Sequence, residues 1–215
     1  MSSAAESPAL EGPALDGPAA KSTTAERVRT RISVDRYQKM VAAGVLTKHD
    51  RVELIEGDIL DMPPIGSRHA SASIRLNKLF RGVGDAAEVS IGGPINLGDF
   101  SEPQPDVSLL KPRADYAVRI PEAGDVLLLV EISDSSLAFD RTVKLALYAK
   151  YGIEEYWIVD VEAERLEVYR APAASGYTEK LELSGTDVAS PRTLPAMRFE
   201  VRELFAPAVA VQPRK

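Results

Sequence analysis

Asp106, Glu131 and Lys144, near the middle of the chain, are side chains whose chemistry and order in the sequence suit work on a phosphate. Glu131 follows the apolar run Val126-Leu127-Leu128-Leu129-Val130 and precedes Ile132, so it interrupts what reads as a strand covered on both faces. A charged, unpaired carboxylate there costs several kcal/mol or more. It must be neutralised, paired or used to hold a cation. Asp106 opens a second short apolar run, Val107 to Leu110. Pro105 precedes it and suits a strand's first residue, because it removes a ladder donor there. Two carboxylates on two buried strands, with a lysine on the following helix, suit Mg²⁺-dependent phosphodiester cleavage. Carboxylate oxygens hold a hard cation, which activates water and steadies the charge on the phosphate. The lysine orients or deprotonates the water, or neutralises developing charge.

The scaffold around these residues is written in the surrounding pattern. Ser33 is a predicted N-cap for a helix through Ala43, ended by Gly44, with Val34, Tyr37 and Val41 on one face. Val52 to Met62 reads as a hairpin turning near Gly57. From Ser67 to Phe80, Ala72, Leu76, Leu79 and Phe80 repeat at helical spacing. Val89 to Ile91 and Pro94 to Leu97 read as short strands around Gly92-Gly93. The Asp106 and Glu131 strands come next. The cluster Asp134-Ser135-Ser136 then turns the chain into a helix of about residues 138 to 150, closed by Gly152. On it, Val143, Leu147 and Tyr151 form an apolar stripe, and Asp140, Lys144 and Tyr148 an adjacent one, so these last three look the same way. A strand over 153–160 is next, then an antiparallel pair over 165–169 and 177–183, and a short segment from Leu194 onward.

Composition narrows the function classes. A chain of 215 residues allows one domain with tails. The expected bounds are a disordered tail over 1–30, rich in Ala, Pro, Ser, Gly and Thr, a domain over 31–207, and a tail over 208–215. The absence of cysteine excludes a disulfide framework, a thiolate zinc site and a cysteine nucleophile. No apolar run approaches about 18 residues, and the start lacks an apolar signal core, so no membrane span and a cytoplasmic protein are expected. The net charge of -6 disfavours an avid coat of nucleic acid, although basic residues can still gather at one groove. Arg27, Arg29 and Arg31 either touch phosphate or belong to a merely soluble leader. Arg68, Arg75 and Lys78 share a helix face that is either a phosphate-contacting surface or a solvated flank.

Each residue also has a bland reading. Asp106 could be a strand-end carboxylate, Lys144 the partner of Asp140 one turn away, and Glu131 one half of a structural ion pair with Lys144 or an arginine. The joint order argues for more. Glu53-Leu54-Ile55-Glu56-Gly57-Asp58, His69, Pro105-Asp106-Val107 and Val130-Glu131-Ile132-Ser133-Asp134-Ser135-Ser136 occur in order with Asp140-Arg141, Lys144, Tyr148 and the block Gly152 to Asp160. Over roughly residues 33 to 205 the sequence resembles the Uma-two restriction endonuclease family, a branch of the PD-(D/E)XK nuclease superfamily.

The resemblance implies an α/β fold of the α+β mixed-sheet kind, a restriction-endonuclease-like core with a central mixed sheet flanked by helices. It implies a metal-dependent endonuclease acting on nucleic acid, DNA first, with Mg²⁺ or Mn²⁺ held by Asp106 and Glu131. The superfamily pattern puts a lysine two residues after the second carboxylate. Ser133 stands there, so the resemblance is to members whose lysine has moved to the following helix, here Lys144. Glu53 or Glu56 would add a further acid. Strand alternation lets only one point inward, and Glu53 is the choice because Glu56 abuts the turn. His69 would reach phosphate or the site, and Tyr148 is expected to pack on the sheet with its hydroxyl at the rim. A homodimer is expected, as two sites then meet two strands. The competing expectations are a catalytically inactive binding module of the same fold and a domain in which Glu131 and Lys144 are only a buried ion pair.

Overall fold

The structure, a computed structural model, describes residues 29–47 and 49–205. Residues 1–28 of the expected tail over 1–30, Arg27 among them, and the segment after 205 lie outside the described residues. Helix α1 (Val34–Ala42) begins where Ser33 Oγ accepts a hydrogen bond from the Arg36 amide, and Tyr37 is its one buried residue. Val41 is largely exposed, so the predicted apolar face narrows to Tyr37, with Val34 half-buried beside it. Strands β1 (Val52–Ile55) and β2 (Asp58–Asp61) form the expected hairpin, with Glu56 and Gly57 both at positive φ in the two-residue turn. Gly57 is needed for a second reason: a Cβ there would lie 2.7 Å from Arg31 Cβ. Arg31 and Arg29 bind this hairpin through Glu56 and Asp58.

Helix α2 (Ser67–Phe80) buries Ala72, Leu76 and Phe80. It leads to a six-stranded mixed sheet with strand order β3-β4-β5-β6-β7-β8. The strands are β3 (Glu88–Ile91), β4 (Val107–Leu110), β5 (Val126–Ser133), β6 (Glu155–Asp160), β7 (Arg165–Ala173) and β8 (Gly176–Ser184). All neighbours pair antiparallel except β5 and β6, which run parallel. A parallel pair needs a long crossover, and helical residues 137–150 supply it. Strands β9 (Val188–Ala189) and β10 (Phe199–Glu200) form a small separate pair.

The predicted strand at Pro94 to Leu97 does not form. Pro94 has no amide to donate, and Ile95 and Leu97 donate instead to Pro103 and Ser101, so the chain loops out rather than folding back on β3. Only an isolated bridge from Asn96 to Glu122 remains.

The crossover helix also departs from expectation. It starts as α3 (Leu137–Phe139), widens into a π-turn over Asp140–Lys144 and resumes as α4 (Leu145–Lys150). Asp140, Lys144 and Tyr148 do look the same way, but it is they that point inward, beside Leu147. Val143 of the predicted apolar stripe is 40% exposed. The π-turn adds one residue to a turn and rotates the helix beyond it, and the inward polar groups meet partners on β5 that offset their burial.

Alternation along β5 divides the core. Leu128, Val130 and Ile132 face α2 together with Trp157, Val159 and the C-terminal residues Phe199, Val201 and Leu204. Leu129 faces α4 with Tyr156, Ile158, Leu147 and Tyr148. Fully burying a side chain such as Leu76 or Phe80 contributes roughly 1.5–3 kcal/mol. Glu131 lies on the α4 side, where each neighbour along its own strand face is apolar or hydroxyl.

Candidate active site

The sheet register brings the two carboxylates together. Val107 pairs with Val130 at the end of an antiparallel ladder, which brings Asp106, just before β4, alongside Glu131, and both line one cavity. Asp106 is fixed on both oxygens: Oδ2 accepts the Ile132 amide at 2.7 Å, and Oδ1 lies 2.9 Å from His69 Nε2. His69 reaches it from the first turn of α2, where Gly66 lets the helix approach Asp134; a Cβ on Gly66 would sit 2.8 Å from Asp134 Oδ2.

Glu131 is 3% exposed. Its Oε1 accepts from Lys144 Nζ at 2.9 Å and from Tyr148 Oη at 2.7 Å. Tyr148 is therefore inside the site and fully buried, not at the rim as expected. Lys144 also lies 3.2 Å from Glu53 Oε2, which accepts the Gln104 amide as well. The hairpin that carries Glu53 is held over the sheet by paired backbone bonds between Leu54 and Glu102. Glu56 turns the other way, to Lys150 and Arg31. One glutamate of the pair thus faces the site.

Charge is unbalanced in this cluster. Burial pushes the Glu131 carboxyl well above the ordinary carboxylate range; Lys144 opposes this, and Asp106, Asp140 and Glu53 add to it. Burial works against the Lys144 ammonium too, but the Glu131, Glu53 and Asp140 carboxylates outweigh it and hold its pKa above the ordinary lysine value. The two directions agree once Glu53 is counted. Lys144 stays charged between two acids, and a single ammonium does not neutralise the carboxylates around it.

These residues line a cavity of about 450 Å³ together with Arg51, Asp61, Asp134, Ser135 and Ser136. A second opening of about 760 Å³ continues from it, sharing Arg51, His69 and Asp106. Arg68 pairs at 2.9 Å with Asp134 of the lining, but Arg68, Arg75 and Lys78 themselves line neither opening. Sequence reasoning missed Arg51. The signal was present, because Arg51 stands two residues before Glu53, just ahead of the same strand, and extending the alternation puts both on one side.

The donors fit a hard cation. Asp106 and Glu131 offer oxygen, and the acid excess calls for positive charge. His69 Nδ1 is buried without a hydrogen-bond partner. Among the described residues no three His, Asp or Glu side chains are grouped closely enough to cage a metal ion. A cation here would complete its shell from main-chain carbonyls, water and a substrate phosphate, which is the habit of Mg²⁺ rather than of zinc.

Residues 34–202 match the Uma2 family, described as "Putative restriction endonuclease", and the chain belongs to that family. Among solved structures it is similar to a protein of Anabaena variabilis described as a putative nuclease belonging to DUF820. The two share 19% identity and superpose with a TM-score of 0.64 over 81% of this chain and 97% of the other. That likeness establishes the shared fold. No curated protein matches the chain. No helix among the described residues is long and apolar enough to cross a membrane.

Proposed function

We propose that this member of a nuclease family is a metal-dependent endonuclease that hydrolyses phosphodiester bonds of nucleic acid, DNA first, with a single domain over 31–207 carrying the site. The observation behind this reading is the unbalanced cluster itself: Glu131 and Glu53 share one ammonium, and Asp106 and Asp140 add further negative charge near Glu131 at the wall of an open cavity. Asp106 and Glu131 would hold Mg²⁺, or Mn²⁺, which when bound supplies Lewis-acid polarisation of the scissile phosphate and of the attacking water.

The chain's own groups do the positioning. The Ile132 amide and His69 fix the plane of the Asp106 carboxylate, and Tyr148 and Lys144 fix one oxygen of Glu131. Because the surrounding acids keep Lys144 protonated, its role is to stabilise negative charge building on the phosphate and not to act as a base. Arg51 in the wall, with Arg68 on its Asp134 partner beside it, contacts flanking phosphates; Arg75 and Lys78, which line neither opening, form a solvated flank of α2. Cutting both strands of a duplex in one encounter takes two such sites, so the reading includes a homodimer, checked by light scattering.

The test is calorimetric titration of Mg²⁺ into wild type, Asp106→Asn and Glu131→Gln, beside nicking of supercoiled plasmid. Saturable binding and nicking in wild type, both lost in each variant, are expected. Nicking that survives both substitutions refutes the assignment. The net charge of -6 favours the alternative, an inactive module of the same fold; a folded protein that neither binds the metal nor cuts DNA or RNA would support it.

A further inference from the structure

Asp140 is a further buried carboxylate beside the site, 2% exposed, and the proposed cleavage chemistry does not use it. Among the described residues it has no salt-bridge partner. Its Oδ2 accepts two hydroxyls instead, from Ser133 at 2.7 Å and Ser136 at 2.6 Å. A carboxylate is a costly group to bury for packing alone, since an apolar side chain fills the same space without desolvation. Asp140 also opens the π-turn, and such turns are rare and gather at functional sites.

The spacing on the two elements matches. Ser133 is two residues beyond Glu131 on β5, so it points to the same face about 6.6 Å along the strand. Lys144 is four residues beyond Asp140, a climb of roughly 6 Å along a helix. When Asp140 docks on Ser133, Lys144 comes level with Glu131, where its Nζ lies 2.9 Å from Oε1. Ser136, in the turn between the two elements, closes the third corner.

We propose that Ser133, Ser136 and Asp140 form a positioning clamp that fixes the π-turn and so delivers Lys144 to Glu131. The proposal rests on the reading of Lys144 as the site's ammonium, but the clamp can be tested without any substrate. None of the three serves as a catalytic residue; each acts through Lys144.

The experiment reads the accessibility of Lys144 in the full chain by acylation with sulfosuccinimidyl acetate and mass spectrometry, with exposed Lys150 as internal reference. In wild type, Lys144 should be labelled on the order of 100-fold more slowly than Lys150, since labelling needs local opening. In Asp140→Ala that protection should fall to about tenfold or less, while the fluorescence of buried Trp157 stays native. Asp140→Asn retains an oxygen that accepts both hydroxyls and should keep Lys144 protected. If Asp140→Ala does not fold, Ser133→Ala with Ser136→Ala removes the same two bonds and carries the test. Unchanged protection in a folded variant lacking the bonds overturns the clamp. So does equal loss in Asp140→Asn, which would assign the effect to charge alone. Plasmid nicking by Lys144→Met tests the underlying reading separately: nicking that persists removes the role of Lys144 and leaves the labelling result intact.

Discussion

Replacing Lys144 with methionine keeps the length and apolar stem of the side chain and removes the ammonium that pairs with Glu131 and Glu53. The two glutamates are then left without it, 3% and 4% exposed. Removing one partner of a buried ion pair costs about 3–5 kcal/mol, chiefly because the remaining charge is uncompensated. The size should depend on pH. With the ammonium gone, the folded-state pKa of Glu131, already raised by burial, rises further, while its unfolded value stays ordinary. The folded state then holds more protons between those two values, so the stability of Lys144→Met falls as pH climbs through that window and recovers as pH drops toward about 4.5. The assay is urea unfolding at pH 8 and pH 5, tracked by the emission of Trp157, the chain's single tryptophan. With a slope of about 2–3 kcal/mol/M, the midpoint should shift down by about 1–2 M at pH 8 and by much less at pH 5. Adding Glu131→Gln to Lys144→Met should recover part of the pH 8 loss. A variant as stable as wild type at pH 8, or a loss equal at both pH values, would refute the charge argument.

Two further outcomes test features outside the carboxylate pair. Glu102 is buried where the β1–β2 hairpin joins the loop before β4, and burial pushes its carboxyl up to about 7 against a hydrogen bond from Gln38 that lowers it. Its folded pKa lies above its unfolded value, so stability falls as pH rises from about 4.5 to about 7. Glu102→Gln should therefore melt higher than wild type at pH 8, by up to about 2–3 kcal/mol, and match it near pH 4 in a thermal scan. Arg51 lines both openings, unlike Arg75. In fluorescence anisotropy with a labelled duplex over a salt series, Arg51→Ala should weaken binding and lower the salt slope by about 1, while Arg75→Ala leaves both nearly unchanged.

Much of the fold was legible because hydrophobic period and turn chemistry agree locally. Ser33, Gly57 and the Leu76 stripe end or bury elements as their types require. What was not legible depended on which partners the fold supplies. Pro94 to Leu97 has a strand's composition, yet its amides pair with Ser101 and Pro103 and not with β3. Val143 belongs to the better apolar stripe by spacing, but no periodicity discloses a π-turn, which here is tied to Ser133 and Ser136 through Asp140. Glu131 was legible as an anomaly in an apolar run. That its second donor is Tyr148 was not, because a tyrosine at that spacing packs equally well with its hydroxyl outward.

The same contacts bear on whether Glu131 and Lys144 are merely a structural pair. A structural pair is most economical when closed: one acid, one base, the remaining polar atoms satisfied, and no opening to solvent. Here Lys144 is shared by two acids, and Asp106 stands alongside Glu131 with an amide and an imidazole as its partners. His69 keeps one buried nitrogen unpaired, and the whole group borders a cavity. Ser133 offers no ammonium from the strand, but Lys144 brings one to the same carboxylate from the helix, so the departure at Ser133 no longer argues against chemistry. An arrangement that leaves acid in excess at a cavity wall is poorly suited to stability and well suited to receiving a cation and a phosphate together.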